Sequence, residues 1–303
     1  MSMNRPSALH PNPAIPFLVA AAALVFFSLM DVAMKSLSIS MGAFNAVYWR
    51  NVIGALITGA AFLSMRLPWP KPDVLRIHMK RSIVVAVMAV CFFWALARLP
   101  LAEAIGLSFF APVIALYLAA ILLGENIGKE AIIASVAGIA GVGIIVGTKF
   151  SGEYEPEALQ GTIAVMFSAC LFAYNLILAR EQAQQAKPLE IAFFQNLLTA
   201  AVLSLAAPWF LDGLAVTQVP LLSAAALLAV ISVLLLSWAY ARAEAQILIP
   251  VEYTGFIWAA IFGWYFFAEA VTWATIFGTA LIVAGSLVAA RARPKLASAA
   301  EIG

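Results

Sequence analysis

Long apolar runs broken by short polar segments fill this chain almost from end to end. A helix needs roughly 20 mostly apolar residues to cross the hydrocarbon core of a bilayer. Ten stretches of about that length occur, at 15–35, 43–64, 81–98, 101–123, 130–148, 160–180, 190–210, 219–241, 247–268 and 272–291. Proline, glycine or charge marks the breaks: Pro68-Trp69-Pro70-Lys71-Pro72, Pro100, Gly124-Glu125-Asn126, Gly152 to Pro156, Pro188, Pro208, Pro220 and Arg242 to Gln246. Several gaps are only a few residues long, so successive helices form hairpins. Arg5 followed by the run from Phe17 to Met30 imitates a signal peptide. The chain continues through Asp31 and Lys35 without a clear cleavage site, which predicts a first transmembrane helix instead. The pattern predicts an all-α polytopic membrane protein with ten transmembrane helices, since in lipid every backbone group must be satisfied within the protein.

The same text is written twice. Trp94-Ala95-Leu96-Ala97-Arg98 returns 144 positions later as Trp238-Ala239-Tyr240-Ala241-Arg242. That offset also pairs Ile105 with Ile249, Glu125 with Glu269, Ile132 with Ile276, Ala140-Gly141 with Ala284-Gly285 and Asp31 with Asn175. Asn51 matches Asn196 at an offset of 145. Ten stretches therefore divide as five plus five, and an odd number per copy makes the second copy enter the bilayer from the opposite face. The expectation is two inverted repeats, the architecture of many secondary carriers. The predicted organisation is a cytoplasmic tail (1–14), a first repeat (15–148), an extracytoplasmic linker (149–159), a second repeat (160–291) and a second cytoplasmic tail (292–303).

Charge sets the expected orientation. Thirteen Lys and Arg residues fall on one side, including Arg66, Lys71, Arg76, Lys80 and Arg81, against Lys35, Arg98 and Lys149 on the other. The richer side is predicted to be cytoplasmic, with both termini, and the acidic segment Glu153, Glu155, Glu157 outside. Arg98 then faces outward and Arg242 inward, with Glu125 inside and Glu269 outside.

At 64% hydrophobic and 11% charged residues, with a mean hydropathy of +1.00, the chain is excluded from the ordinary soluble classes. The net charge of +2 is spread over loops without a basic patch interleaved with aromatics, so no nucleic-acid partner is expected. Cys91 and Cys170 read as small core residues, and His10 and His78 lie outside the apolar stretches, so no metal site and no cofactor are expected. Gly138, Gly141, Gly143 and Gly147 are not followed by a phosphate-binding Lys-Ser/Thr and have the spacing of close helix packing. With no catalytic constellation and no nucleotide site, the chain is expected to be no enzyme, and any uphill movement of solute must draw on a proton, ion or solute gradient.

Several segments resemble the drug/metabolite transporter superfamily in its EamA branch. Arg98-Leu99-Pro100-Leu101-Ala102-Glu103-Ala104-Ile105 resembles the family's join between helices three and four. Phe110-Ala111-Pro112, with Leu122-Leu123-Gly124-Glu125, resembles its fourth helix and that helix's acidic end. Gly138-Ile139-Ala140-Gly141-Val142-Gly143 resembles its glycine-rich fifth helix, and Tyr48-Trp49-Arg50-Asn51-Val52-Ile53-Gly54 its second. The resemblance spans about residues 15–291. It implies a ten-helix inverted-repeat carrier whose helices one, three, four, six, eight and nine line a central cavity. It also implies transport of amino acids, their derivatives or other small metabolites, mostly outward. The second half departs from the pattern: Gly255-Phe256 stands where the first half has Ala111-Pro112, and its own proline, Pro250, comes earlier.

Ionisable groups within a membrane span cost roughly 2.5–3.5 kcal/mol at a helix centre, so each is a candidate for function. Glu252 follows Pro250, which frees a carbonyl in the preceding turn. Together they would hold an ammonium group or a proton, with Tyr253 adjacent; the competing reading is a carboxylate reaching the cytoplasmic surface or pairing with Arg242. Arg50 either binds a substrate carboxylate through its planar fork or locks the second helix by pairing with Asp31. Asp31 is expected near the outer end of the first helix. Tyr174 and Asn175 offer polar contacts to a zwitterion or simply bond neighbouring helices. Gln195 and Asn196 read as such interhelical contacts. Trp94 and Trp238 form either an aromatic wall, with Ser108 and Phe109 as lesser members, or interfacial anchors.

The reading that unites these features is a secondary-active carrier in a bacterial-type inner membrane. Its small-molecule substrate would bind between Trp94, Phe109, Tyr174, Asn175, Trp238, Glu252 and Tyr253, and Asp31–Arg50 would serve as a coupling or structural pair. Export of an amino acid or an amino-acid-derived metabolite, an opine-like metal chelator included, is expected first, and uptake of a vitamin or nucleotide-like solute second. A membrane scaffold or sensor that transports nothing is the alternative of another class. Two complete repeats suffice for a monomer, and a homodimer is equally compatible.

Overall fold

The structure, a computed structural model, describes residues 14–123, 129–147, 156–242, 248 and 251–291. Arg5, His10, Glu125, Lys149, Glu153, Glu155, Ile249, Pro250, Arg293 and Lys295 lie outside the described residues, and with them both tails and most of the linker. The regular elements among the described residues are all helices: α1 (Ala14–Met41), α2 (Ala43–Ser64), α3 (Pro72–Leu96), α4 (Leu101–Ser108), α5 (Ala111–Leu123), α6 (Lys129–Gly147), α7 (Pro156–Ala183), α8 (Pro188–Ser204), the single turn α9 (Ala207–Phe210), α10 (Val219–Tyr240), α11 (Gly255–Phe267) and α12 (Trp273–Arg291). Among the described residues, five helices are long and apolar enough to cross a membrane: Ala14–Met41, Ala43–Ser64, Pro72–Leu96, Glu157–Ala183 and Val216–Tyr240. Five more apolar helical stretches among the described residues are shorter: Leu101–Ala115, which runs across the break between α4 and α5, Ile132–Gly147, Pro188–Ser204, Gly255–Phe267 and Trp273–Val288.

Local chemistry fixes the ends. Pro72 and Pro188 open α3 and α8 in the first turn, where a missing N–H costs nothing. The tight join of α1 to α2 needs φ +81° at Gly42, a conformation open to glycine. The third helix starts at Pro72, not at 81 as hydropathy suggests, because Arg76, His78, Lys80 and Arg81 continue it in helical register. The fourth stretch is not continuous. It breaks at Phe109-Phe110, since the Pro112 ring cannot sit against the carbonyl of Ser108 in an unbroken helix.

The ninth stretch breaks too, at Tyr253-Thr254. No proline follows it there. Instead Thr254 Oγ1 bonds the Val251 carbonyl (2.7 Å), a local alternative to continued helix. Phe109-Phe110 and Tyr253-Thr254 are 144 positions apart, the repeat offset, so both halves carry the same helix break.

Packing follows the repeat as well. α1 lies along α10 and α3 along α7, while α2 lies along α8, α4 against α11 and α6 along α12. Exchanging the two halves maps α1–α10 onto α3–α7 and maps α2–α8 and α6–α12 each onto itself. The α6–α12 contact is the closest, because a Cβ on Gly141 or Gly278 would strike the facing helix backbone and one on Gly285 would lie 2.6 Å from the Ala134 carbonyl. Gly138 faces Phe110, but Gly143 and Gly147 face open space, so close packing explains only part of that glycine row.

Candidate functional site

Three polar or aromatic groupings sit at different depths along the bundle. The first joins the two halves at the end where α1 and α11 finish. Lys35 of α1 donates to Glu269 Oε1 and to the Leu99 carbonyl (2.6 Å). Glu269 Oε2 accepts from the Leu101 backbone N–H (2.7 Å), an orphan donor at the start of α4. Glu103, buried in the first turn of α4, adds a second negative charge that Lys35 feels. The carboxylate reaches this place because Ala268 adopts the left-handed conformation (φ 53°) and turns the chain back over α11. Gly263 leaves the space: a Cβ there would lie 2.8 Å from Glu269 Oε2. A cavity of about 350 Å³ opens beside the pair, walled in part by Lys35, Arg98, Pro100, Phe267 and Glu269. Arg98 also reaches Glu157 at the start of α7 (3.5 Å).

The second grouping is central. Phe109 and Tyr253, the residues at the two helix breaks, meet edge to face with centroids 5.1 Å apart. Buried Ser286 of α12 donates to the Phe109 carbonyl (2.7 Å), a group the break leaves without its helical partner, and lies beside the Tyr253 hydroxyl. Symmetry-related helix breaks in mutual contact are where broken-helix carriers expose backbone to a solute.

The third grouping lies at the opposite end of α3. His78, Arg81, Asn175, Gln182 and Glu190 form one network. Arg81 Nε donates to Asn175 Oδ1 (2.9 Å) and its Nη1 to Gln182, which in turn bonds His78; His78 meets Glu190 at 3.3 Å and stacks on Phe194 at 5.2 Å. The expectation that histidine stays out of the apolar core is thus corrected, for His78 is fully buried in a membrane-length helix. Arg81, read from sequence as the cytoplasmic-side charge that starts the third stretch, lies instead well inside that helix and faces α7. No group of three or more metal-ligating side chains exists among the described residues.

The structure brings only some predicted residues together. Phe109 and Tyr253 touch. Exposed Glu252 accepts from the Tyr240 hydroxyl. Asn175 is occupied by Arg81, and half-buried Tyr174 is its neighbour on α7. Trp94 and Trp238 do not share a wall, because they lie toward opposite ends of the bundle. Each is covered by the arginine one turn on: Arg98 lies 3.6 Å over Trp94 and Arg242 4.3 Å over Trp238. Each arginine also donates to its tryptophan's carbonyl, at 3.1 and 3.2 Å, so the repeated sequence folds into the same staple twice. Gln195 does bond across helices, to Ser82 (3.3 Å), whereas Asn196 bonds Ala192 within its own helix and packs against Gly54.

Asp31 departs from expectation. It is the eighteenth residue of the 28-residue α1, 2% exposed, and not near a helix end. It forms no ion pair with Arg50, whose Nη1 faces Met30 Sδ (3.7 Å) and whose guanidinium lies 5.7 Å over Phe93. Lys35, Glu269, His78, Arg81 and Gln182 were missed as site residues. Carrying the first helix on to Gly42, the first residue able to end it, would have put Lys35 inside the span.

Comparison with known proteins adds a further constraint. The EamA-like transporter family matches residues 14–147 and again 159–291. The chain is 26% identical to the pseudopaline exporter CntI of Pseudomonas aeruginosa over 279 residues, covering 91% of this chain and 96% of that one. It is 26% identical to the riboflavin transporter of Rhizobium johnstonii, covering 94% of each. The S-adenosylmethionine uptake transporter of Rickettsia bellii is 23% identical, with 87% and 89% covered. A solved crystal structure, 20% identical, shares the fold with a TM-score of 0.61 over 94% of this chain and all of that one.

Proposed function

The chain belongs to the EamA-like transporter family and is a multi-pass membrane transporter; we propose that it is a secondary-active exporter, in a bacterial inner membrane, of an amino acid or amino-acid-derived small solute. The observation that carries this reading is the pair of helix breaks in contact at Phe109 and Tyr253, at one offset in two halves that each match the family. Ten transmembrane helices in two inverted five-helix repeats, spanning 15–148 and 160–291, would put those breaks near the middle of the bilayer. Rocking of one half against the other would then open the site to each face in turn. Both termini would be cytoplasmic, which the charge bias supports.

Phe109 and Tyr253 would form the floor of the site, with Tyr174 and Asn175 presented from α7. Glu252, exposed and bonded to Tyr240, would hold an ammonium group or a proton. Trp94 and Trp238, each under its own arginine, would act at the two entrances instead of in one wall. The Lys35–Glu269 pair, which ties the first half to the second, would close one entrance. Similarity to a named exporter favours export, with an opine-like metal chelator within the solute class. Similarity to riboflavin and S-adenosylmethionine transporters supports the second reading, uptake of a vitamin or nucleotide-like solute.

The test is to compare small molecules in medium and cytosol of cells that lack the protein, overproduce it, or overproduce Glu252→Gln. Export predicts a solute that reaches the medium only with the intact protein. A solute that accumulates inside instead establishes uptake, and no change in either compartment overturns the carrier reading.

A further inference from the structure

Asp31 is buried near the middle of α1, and its Oδ1 has no hydrogen-bond partner. The nearest opposite charge, Arg50 on α2, is engaged with Met30 and Phe93 and forms no ion pair with it. A carboxylate left in this way would carry the full cost of burying a charge.

The repeat supplies an internal control. At the offset of 144, Asp31 corresponds to Asn175, and at the offset of 145 that relates Asn51 to Asn196, Arg50 corresponds to Gln195. The charged pair of the first half is therefore an amide pair in the second. Neither amide carries a charge of its own: Asn175 Oδ1 accepts from the Arg81 guanidinium of α3, and the Gln195 amide nitrogen donates to Ser82 and Thr199 while its Oε1 has no partner among the described residues. Asn and Asp have nearly the same shape, so this position in the fold does not demand a titratable group. Buried charge that the fold does not need is a mark of function in a membrane.

The surroundings of Asp31 are sparse in other titratable groups. α10 and α11, which pack on α1, contain no Asp, Glu, Lys, Arg or His. From Ser82 to its end, α3 carries only the Cys91 thiol, and α2 only Arg50 and Tyr48. On α1 itself, Lys35 lies one turn away and is committed to Glu269.

We propose that Asp31 is the proton-binding site of this carrier. Its carboxyl holds the proton in the packing described, and gives it up to water when α1 and α2 repack, with Arg50 then facing the carboxylate. The inference rests on the carrier reading and assigns the proton to Asp31, leaving Glu252 for a cationic group of the solute.

Infrared difference spectroscopy of the purified protein in lipid nanodiscs tests it without any substrate. The wild type should show a protonated-carboxyl C=O stretch at neutral pH that shifts in heavy water. The band should be lost in Asp31→Asn, which copies Asn175, and kept in Glu252→Gln. The double variant Asp31→Asn, Arg50→Gln reproduces the second half's pair and guards against misfolding of the single one. A band that is absent in the wild type, or that survives both Asp31 variants, overturns the proposal. In liposomes loaded with a pH dye, riboflavin, S-adenosylmethionine and an amino-acid mixture serve as probes. Solute-dependent proton flux should be lost in the Asp31 variants while solute exchange persists; proton flux retained in them overturns the proposal. If the wild type exchanges none of these probes, the carrier reading fails, while the band still decides Asp31.

Discussion

Lys35 and Glu269, 234 residues apart, meet in a nearly closed environment and tie α1 of the first half to the end of α11 in the second. Each is also held by backbone, Lys35 by the Leu99 carbonyl and Glu269 by the Leu101 N–H. Removing one partner of such a pair strands the other, at a cost of about 3–5 kcal/mol. Glu269→Gln should therefore lower the melting temperature in detergent more than the double change Lys35→Met, Glu269→Leu, which removes both charges. In vesicles, Glu269→Gln should also speed thiol labelling of a Pro100→Cys reporter from that face.

Gly263 exists in its present form for the sake of that carboxylate. Gly263→Ala places a methyl 2.8 Å from Glu269 Oε2 and should displace it. The expected loss is about 1–3 kcal/mol, read as a fall in melting temperature. In an Glu269→Ala background the same substitution should cost much less, as a double-mutant cycle would report.

The glycine row of α6 separates packing from empty positions. Gly141→Ala would push a methyl into the Gly278 carbonyl and Ile282 and should cost about 1–3 kcal/mol. Gly143→Ala and Gly147→Ala meet nothing within 4 Å and should leave the melting temperature unchanged or raise it slightly.

The two tryptophan staples should behave alike. Arg98→Ala and Arg242→Ala each remove a guanidinium from an indole face and a bond to a carbonyl, at 3.6 and 4.3 Å from the rings. At partly exposed sites such contacts are worth about 0.5–1 kcal/mol. Both variants should fold, melt slightly earlier and show altered tryptophan emission.

The helical class and the repeat were legible in the sequence because both rest on local pattern: apolar runs of membrane length and a constant offset. The Trp-x-x-x-Arg echo was visible as well, but the arginine seated on each indole was not read from it. What stayed hidden depends on long-range contacts. The pairing of Lys35 with Glu269 spans both halves, and His78 with Glu190 joins α3 to α8, so no local window contains either. Asp31 was placed near a helix end because its polarity and that of Lys35 suggested a stop, whereas tertiary partners carry the helix on to Met41. The break at Phe109 was readable from Pro112, but its counterpart at Tyr253 has no following proline and shows only through the offset.

Access to the Phe109–Tyr253 contact tests the account most directly. Cys91 and Cys170, the free thiols of the chain, are first replaced by Ala. Tyr253→Cys is then exposed to a membrane-impermeant maleimide in right-side-out and in inside-out vesicles. Alternating access around the paired helix breaks predicts labelling from both faces, at rates that change in opposite directions with Glu269→Gln. Labelling from one face alone, or from neither, would contradict it.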